Sequence, residues 1–336
     1  MKVLIIGTGW YGCHLAKKLL KKGIDITIID KTNGIFNGSS YKNQNRLHLG
    51  FHYPRSSSTI KECFEGYKKF IDEYSILTSP ISKNLYFISS QKSLVDISSY
   101  IHIFDNHAIS YNIYTGMLPI SMQKCESPII QVDERYINPF AAKEYFTELL
   151  QPYVKVITDS TVFSSIQNII EHCDKSYDFV LNCTFNHLAP IRYEQSELFV
   201  TLLYKIPTPA LFAYTIMDGP FFSIYPYDIS NNIYTVTSVI HGIAYKGEIS
   251  DYLLSDVQLK QIIDDMNKQV EEYIPNWREV ASYTSYYTSW KMKHDTHTDD
   301  RSMRHAYNGN TLSIYGGKIT GIFEAEKLVM NLLNIE

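Results

Sequence analysis

The sequence lacks the features that would place it in a disulfide-rich or membrane class. Its 336 residues include five cysteines, which are scattered and never spaced as C-x-x-C. An odd, scattered set argues against a disulfide framework, so we expect reduced thiols. No run of 18 uncharged apolar residues occurs, since the best candidate, 198–217, holds one lysine and two prolines. We therefore expect no membrane span.

An excess of charge of one sign is also missing. Lys and Arg total 31, Asp and Glu total 35, and the net charge is −4. No basic stripe is visible, so we expect no nucleic-acid partner. A composition of 45% hydrophobic and 20% charged residues is typical of globular proteins, and the length predicts about two domains. We expect a cytoplasmic protein without a metal site and leave its oligomeric state open.

The N-terminal sequence has the pattern of a β-α-β unit. An apolar, β-branched run at 3–6 predicts a buried strand, 11–22 a helix and 24–30 a second strand. Gly7, Gly9 and Gly12 form G-x-G-x-x-G between the first strand and the helix. Together these features predict a dinucleotide site, with the pyrophosphate at the helix N-terminus. Asp30 ends the second strand, where a carboxylate suits ribose hydroxyls and argues against the 2′-phosphate of NADP.

Several later elements also follow from pattern. Helical spacing predicts a helix from about residue 60, with Thr59 and Glu62 as its capping box. Residues 161–166 and 280–290 are expected to be strands, and 196–240 is β-rich. The polar stretch 291–310 is expected to be a loop, followed by a strand at 311–315 and a helix from about 320 to 333.

Two segments resemble the D-amino-acid-oxidase-like FAD oxidoreductases, which include glycine and sarcosine oxidases and the flavin glycerol-3-phosphate dehydrogenases. SSYKNQNRLHLGFHY at 39–53 is similar to the family's "small-Ser … Asn … Gly" stretch, and YGGKIT at 315–320 resembles its "GGK(L/W)T" end. Weaker similarities lie at 136–139, 161–163 and 177–184. In the family, "Ala-Thr-Gly" stands where this chain has Cys183-Thr184-Phe185, and the "G-x-R-P" motif is missing here.

The resemblance implies an α/β fold in which a Rossmann-like FAD-binding domain carries an inserted substrate domain with a mixed or antiparallel β-sheet. We expect the FAD-binding domain to comprise 1–75, 139–189 and 293–336, and the substrate domain 76–138 and 190–292. The expected cofactor is FAD. The residues expected to bind it are Gly7, Gly9, Trp10, Tyr11, Gly12, Asp30, Lys31, Ser39, Ser40, Asn43, Asn45, Arg46, Leu47, Val162, Cys183, Thr184, Gly316, Gly317, Lys318, Ile319 and Thr320.

Catalytic candidates lie in the 39–53 segment, which the resemblance places near the flavin ring. Arg46, His48 and His52 alternate there, and residues two apart on an extended segment share a face. Histidine exchanges protons near neutral pH. Arg304, Arg301 and Lys291 are the candidate substrate anchors, because a guanidinium suits a carboxylate or phosphate.

These observations favour an FAD-dependent oxidoreductase that takes a hydride from a C–H bond next to an oxygen or nitrogen of a small polar or anionic substrate. One alternative is an NAD-linked nucleotide-sugar enzyme, since the β-α-β unit alone does not separate the two cofactors. Others are a flavin-dependent sugar mutase without net oxidation and a scaffold that has lost its chemistry.

The cofactor prediction is tested by thermal shift with FAD and NAD in parallel. A ligand present at 100 times its Kd adds about 2.7 kcal/mol to the free energy of unfolding. FAD is expected to raise the Tm of the flavin-free protein, whereas NAD at the same concentration is not. A rise with NAD alone would contradict the FAD assignment.

Overall fold

The computed structural model describes residues 1–173, 175–191, 195–249, 252–293 and 302–335. Its α-helices are α1 Trp10–Lys21, α2 Ser57–Tyr74, α3 Ile97–Asn106, α4 Pro139–Leu150, α5 Ile166–His172, α6 Asp256–Glu271, α7 Trp277–Val280 and α8 Ile322–Leu332. Short 3₁₀ helices cover Ser75–Leu77, Gln151–Tyr153, Val162–Ser164 and Ile319–Gly321.

The strands alternate with these helices in the N-terminal part and dominate the middle of the chain. They are β1 Lys2–Ile6, β2 Asp25–Asp30, β3 Arg46–Leu47, β4 Thr78–Pro80, β5 Lys83–Ile88, β6 Asn112–Tyr114, β7 Ile129–Gln131, β8 Arg135–Ile137, β9 Val154–Val156, β10 Phe179–Asn182, β11 Gln195–Lys205, β12 Phe212–Met217, β13 Phe222–Asp228, β14 Ile233–Ser238, β15 Ile243–Lys246, β16 Ser282–Lys293, β17 Arg304–Asn308 and β18 Thr311–Tyr315.

The chain divides into two compact units. The first unit comprises Met1–Lys42, Pro139–Glu194 and Asp300–Glu336, and the second comprises Asn43–Asn138 and Gln195–Asp299. The fold class is the mixed α/β one that the sequence predicts. The expected domain boundaries differ from this division mainly at 43–75, which pack with the second unit rather than with the nucleotide-binding motif. The division also assigns 190–194 to the first unit and 293–299 to the second, the reverse of the expected assignment.

The first unit is built on a six-stranded sheet in the order β17-β18-β10-β1-β2-β9. Every neighbouring pair is parallel except β17 and β18. Strand β1 is buried from Val3 to Ile6 because helices cover both faces of a parallel sheet. The predicted β1, α1 and β2 are confirmed to within two residues at their ends. On α1, Leu15, Ala16 and Leu19 are buried. Burying each leucine side chain stabilises the folded state by about 1.5–3 kcal/mol relative to leaving it exposed.

The second unit contains a nine-stranded sheet in the order β15-β11-β14-β13-β12-β5-β7-β6, with β16 paired to β11. All its pairs are antiparallel except β5 with β12. Helix α6 packs Ile262, Met266 and Val270 into the same core as the sheet. A small three-stranded sheet, β3-β8-β4, completes this unit.

Three local expectations are wrong. Helix α2 is capped by the Ser56 side chain, which accepts from the amide of Thr59, so Thr59 lies inside the helix rather than at its start. Residues 161–166 form a 3₁₀ turn and the start of α5, since Ser165 caps that helix. The polar stretch 291–310, expected to be a loop, contains the end of β16 and the whole of β17. Strand β17 lacks an apolar pattern because it is an exposed edge strand, whose side chains need not be apolar.

Within the described residues, no helix combines the length and apolar character needed to cross a bilayer.

A partly buried ion pair joins helices α1 and α8 of the first unit. Glu326 Oε2 lies 2.9 Å from His14 Nε2, and its Oε1 lies 3.2 Å from Lys18 Nζ. Burial raises the pKa of Glu326, but the hydrogen bond and charge of His14, together with Lys18, outweigh it and leave the pKa below its usual value. Since the folded-state pKa lies below the unfolded one, the pair stabilises the fold above the unfolded pKa. That stabilisation is lost as the pH falls through the folded-state pKa.

Replacing Glu326 with glutamine is expected to lower the free energy of unfolding at pH 7 by about 1–2 kcal/mol. The deficit should shrink as the pH falls below the unfolded pKa of about 4.3, and it should vanish below the lower folded-state pKa, where the wild-type carboxylate is protonated in both states. Thermal melts of both proteins between pH 3 and 7 measure this. Glu148→Gln, at an exposed position of α4, is the control. An equal deficit at all pH values would show that the charge of Glu326 is not what stabilises the helix pair.

Candidate active site

The carboxyl ends of β1, β2, β10 and β18 meet at one edge of the first unit's sheet because these strands run parallel. The chain leaves β1 for β2 on one side and later returns to β10 on the other side. Such a reversal of strand order opens a crevice at the carboxyl edge, where α/β sheets bind ligands. The G-x-G-x-x-G loop therefore lies at the position that its sequence predicts.

Each glycine of this loop is required by close backbone approach. Gly7 has a φ of +105°, and a Cβ there would lie 2.6 Å from the carbonyl oxygen of Cys183. A Cβ on Gly12 would overlap the carbonyl oxygen of Gly7, so only glycine lets α1 begin this close to the loop. At Gly9 a Cβ would lie 2.8 Å from Ser40 Oγ. With no Cβ at these three positions, the backbone of the loop can be approached closely.

The N-terminus of α1 is suited to an anion. Gly9 is its N-cap and offers no side-chain cap, and the first turn contains no acidic residue. The amide of Trp10 donates to Ser40 Oγ at 2.9 Å, which ties this turn to the 39–42 segment. The positive end of the helix dipole therefore has no carboxylate of its own turn to neutralise it, as a pyrophosphate site requires.

Asp30 has a different set of partners from the one that the sequence predicts. Its Oδ2 accepts from the amide and hydroxyl of Thr8 at 2.8 and 2.7 Å, and its Oδ1 accepts from the amide and hydroxyl of Thr32 at 2.8 and 2.7 Å. A carboxylate has about four acceptor positions, so all are used. Asp30 thus holds the glycine loop to the end of β2, and a ribose hydroxyl would have to displace a threonine.

The segment after β18 lies at the same edge of the sheet. Gly316 and Gly317 lead into the turn Ile319–Gly321, where Thr320 is 3% exposed. Its Oγ1 is buried and has no hydrogen-bond partner among the described residues. A buried hydroxyl without a partner costs about 1–3 kcal/mol, which a ligand acceptor would relieve. This orphaned hydroxyl, the open glycine loop and the uncapped helix fit a dinucleotide cofactor such as FAD.

The remaining predicted cofactor residues fall into both units. Asn43, Asn45, Arg46 and Leu47 belong to the second unit, whereas the others belong to the first. Val162 lies in a 3₁₀ helix, where it packs against an apolar cluster rather than in the expected strand. Lys31 is exposed. Thr184 donates its hydroxyl to Asn182 Oδ1 at 2.7 Å. Phe185, which replaces the family's glycine, keeps a left-handed backbone with φ +55°.

A buried charged cluster lies in the second unit around Arg46. This residue is 5% exposed and Glu134 is 1% exposed. Arg46 Nη1 donates to Tyr86 Oη at 2.9 Å and to Thr215 Oγ1 at 2.8 Å. Tyr86 in turn donates to Glu134 Oε2 at 2.7 Å, and Glu134 Oε1 accepts from the amide of Leu49. We call Arg46, Tyr86, Glu134 and Thr215 the Arg46 cluster.

The β-pairing explains how distant residues meet here. Tyr86 and Thr215 are opposite each other in the parallel pair of β5 and β12. Arg46 lies in β3, which pairs with β8 directly after Glu134. The guanidinium also stacks on Tyr225 of β13, with its carbon 4.1 Å from the ring centroid. The cluster therefore depends on the register of both sheets of this unit.

Burial and charge set the protonation of the cluster. Burial lowers the pKa of Arg46, but Tyr86, Tyr225 and Glu134 raise it more, so the guanidinium stays charged. Burial raises the pKa of Glu134, against the opposing charge of Arg46, which lies 3.8 Å away. Burial and Glu134 raise the pKa of Tyr86 well above 10, so it remains a hydrogen-bond donor.

Only part of the Arg46 guanidinium is used. Its Nε and Nη2 are buried and have no hydrogen-bond partner within the described residues. These two atoms form one edge of the planar group, the edge that binds a carboxylate or another pair of oxygens. The cluster thus presents a charged, desolvated donor edge.

The two predicted histidines lie beside this cluster. His52 Nδ1 is 3.4 Å from Arg46 Nη1, and His48 Nδ1 is 3.6 Å from Glu134 Oε1. The two rings are 5.4 Å apart. The structure brings Arg46, His48 and His52 together, through a turn at Gly50 with φ +111° rather than along an extended strand.

Two of the three predicted substrate anchors, Lys291 and Arg304, lie within the described residues. Lys291 lies on the ring of Phe199, with Nζ 3.1 Å from the centroid. Arg304 is exposed and opens the edge strand β17 opposite Tyr315. Arg301 lies outside the described residues. Their substrate roles stay predictions.

Glu134 and Tyr86 are the functional candidates that the sequence analysis misses. Glu134 follows an apolar strand and precedes another, and an acid between two buried strands could have marked it. Tyr86 lies inside an apolar run with no local signal, and only the pairing of β5 with β12 reveals it.

Comparison with known proteins agrees with this geometry. The profile of the family described as FAD dependent oxidoreductase (DAO) matches residues 2–280. The chain belongs to this family. An FAD-dependent monooxygenase of Fusarium mangiferae, FPY4, is 28% identical over 99% of this chain and 91% of its own length. The FAD-dependent monooxygenase kojA of Aspergillus flavus is 23% identical over 99% of this chain and 86% of its own.

Solved structures with this fold include oxidases. Glycine oxidase from Geobacillus kaustophilus superposes with a TM-score of 0.69 at 10% identity, over 99% of this chain and 95% of its own. L-alpha-glycerophosphate oxidase from Mycoplasma pneumoniae with FAD bound also gives 0.69, at 15% identity, over 100% and 95%. The family match confirms the predicted FAD dependence and the oxidoreductase class.

The glycine loop yields a prediction with a matched control. In Gly7→Ala the new Cβ collides with the Cys183 carbonyl group, and alanine must adopt a left-handed backbone conformation. We expect FAD affinity to fall roughly tenfold or more, because a loss of about 1.4 kcal/mol in binding free energy raises the Kd tenfold. Gly23 is also left-handed, with φ +71°, but a Cβ there meets nothing within 4 Å. Gly23→Ala should cost about 1 kcal/mol of stability and leave FAD affinity unchanged. Titration of flavin-free protein with FAD measures both. Equal affinities in the two variants would contradict the close-approach argument.

Proposed function

We propose that this FAD-dependent oxidoreductase removes a hydride from a C–H bond next to an oxygen or nitrogen of a small substrate that carries an anionic or strongly polar group. The supporting observation is the unpartnered edge of the buried Arg46 guanidinium. Burying charged donors without partners is costly, so a site that keeps them is suited to a ligand that supplies oxygen atoms.

In this proposal the first unit holds FAD through the Gly7–Gly12 loop, the N-terminus of α1 and the Gly316–Thr320 segment. Bound FAD supplies the two-electron acceptor. The second unit supplies the groups that act on the substrate. Arg46 Nε and Nη2 bind its oxygen atoms, and Tyr86, Thr215 and Tyr225 fix the guanidinium so that the substrate is held in one orientation.

A proton must leave the substrate hydroxyl or amine as the hydride leaves carbon. His48 and His52 are the proposed acceptors, because both lie at the Arg46 cluster and imidazole titrates near neutral pH. Glu134 is proposed to hold His48 through Nδ1, which leaves Nε2 for the substrate. The proton then passes from the histidine to solvent before the next turnover.

Anaerobic mixing of the holoenzyme with 2-hydroxy acids, amino acids, polyol phosphates and sugars tests this function. At least one class should bleach the flavin absorbance near about 450 nm without any other reductant. Anionic members should react at lower concentration than their neutral analogues. If no substrate bleaches the flavin but NADH or NADPH does, hydride removal from the substrate is wrong. The reaction would then match the monooxygenase names of the curated relatives.

Arg46→Lys is expected to lower kcat/KM by about 10- to 100-fold, since an ammonium keeps the charge but loses the planar donor pair. Flavin content should stay unchanged. The matched control is Arg278→Lys, in the same unit, where the arginine is exposed and pairs with Glu271. If Arg46→Lys loses flavin but turns over normally once reloaded, Arg46 serves the cofactor and not the substrate.

A further inference from the structure

Tyr11 occupies the second variable position of the glycine loop and reaches the segment after β18. Its hydroxyl donates to the carbonyl oxygen of Lys318 at 2.8 Å. The same carbonyl accepts from the amide of Gly321 at 3.3 Å and so begins the turn Ile319–Gly321. The Tyr11 hydroxyl therefore binds the same carbonyl oxygen that accepts the hydrogen bond of the turn.

The glycines of the segment are explained by the same side chain. A Cβ on Gly316 or on Gly321 would overlap the hydroxyl of Tyr11. Neither glycine has a positive φ, since Gly321 has φ −64° and Gly316 is not among the left-handed residues. Space for Tyr11, rather than backbone conformation, is what excludes a side chain at these two positions.

The turn held by Tyr11 contains the orphaned hydroxyl of Thr320 and lies directly before α8. Because the first turn of α8 contains Glu324, the group that this turn offers to a ligand acceptor is the Thr320 hydroxyl and not an unopposed helix dipole. The resemblance of the 315–320 segment to its family implies that this turn lies at the pyrimidine side of the flavin, where the reduced form carries negative charge. In that position a hydroxyl donor would affect the redox state of the cofactor as well as its binding.

We propose that Tyr11 is a positioning residue that sets the Gly316–Thr320 segment for the isoalloxazine part of FAD, with Gly316 and Gly321 kept small to admit its phenol. The inference rests on FAD binding and not on the identity of the substrate. A role in the pyrophosphate loop alone would predict a different dependence on the ligand, because ADP shares the pyrophosphate and adenosine with FAD but has no isoalloxazine.

The first test compares FAD with ADP on the flavin-free full-length chain. Tyr11→Phe keeps the ring and removes the hydrogen bond, so FAD affinity is expected to fall roughly three- to tenfold while ADP affinity stays within twofold. The midpoint potential of the flavin in the holoenzyme should shift to a more negative value, since the reduced form loses stabilisation. Equal weakening of FAD and ADP, or an unchanged potential, would overturn the proposal.

A steric rescue separates positioning from general damage to the fold. Gly316→Ala is expected to weaken FAD more than Tyr11→Phe does, again with ADP binding retained as evidence that the loop is folded. Adding Tyr11→Ala to Gly316→Ala removes the overlap and should recover part of the FAD affinity relative to Gly316→Ala alone. If the double variant binds FAD no better than Gly316→Ala, the phenol is not what Gly316 accommodates.

Discussion

The ion pair of Arg46 and Glu134 is the interaction on which the Arg46 cluster depends. Moving two charges from water into a protein interior costs several kcal/mol for each ion, and attraction alone often does not recover this cost. Here additional hydrogen bonds from Tyr86 and the amide of Leu49 satisfy the carboxylate. Both carboxylate oxygens accept a hydrogen bond, whereas one edge of the guanidinium has no partner among the described residues. A buried pair with such an imbalance resembles a binding group more than a structural one.

In the first unit the candidate cofactor site, the Gly7–Gly12 loop, is formed mainly by backbone atoms rather than by charged side chains. Gly7 and Gly12 let β1, α1 and β10 approach so closely that a side chain at either position would collide with a carbonyl group. Asp30 and two threonines then hold this loop to the end of β2. A site of this kind depends on a rigid sheet edge, which the buried parallel strands provide.

This difference explains how much the sequence could predict. The glycine loop is local, since its residues are neighbours in the chain and their spacing is dictated by the strand–helix turn, and its fold was predictable to within a few residues. The Arg46 cluster joins residues 46, 86, 134 and 215 through strand pairing, and no local pattern encodes that register. That Arg46, His48 and His52 lie close together could be predicted because they belong to one segment. Glu134 and Tyr86 were missed because their importance comes from partners far away in the chain.

The chain departs from a motif of its family in the loop after β10. Phe185 stands where the motif has a glycine, and its backbone has the left-handed conformation that a glycine adopts easily. That conformation costs an ordinary residue roughly 1–2 kcal/mol. The ring of Phe185 packs against Tyr315 with centroids 5.1 Å apart, and such aromatic pairs contribute about 0.5–1.5 kcal/mol beyond the area they bury. Tyr315 is the last residue of β18 and directly precedes Gly316. The contact with Phe185 therefore joins the loop after β10 to the same segment that Tyr11 binds through the carbonyl oxygen of Lys318. Phe185 and Tyr11 thus both contact the segment after β18, and they restrict a glycine-rich backbone that would otherwise have many conformations open to it.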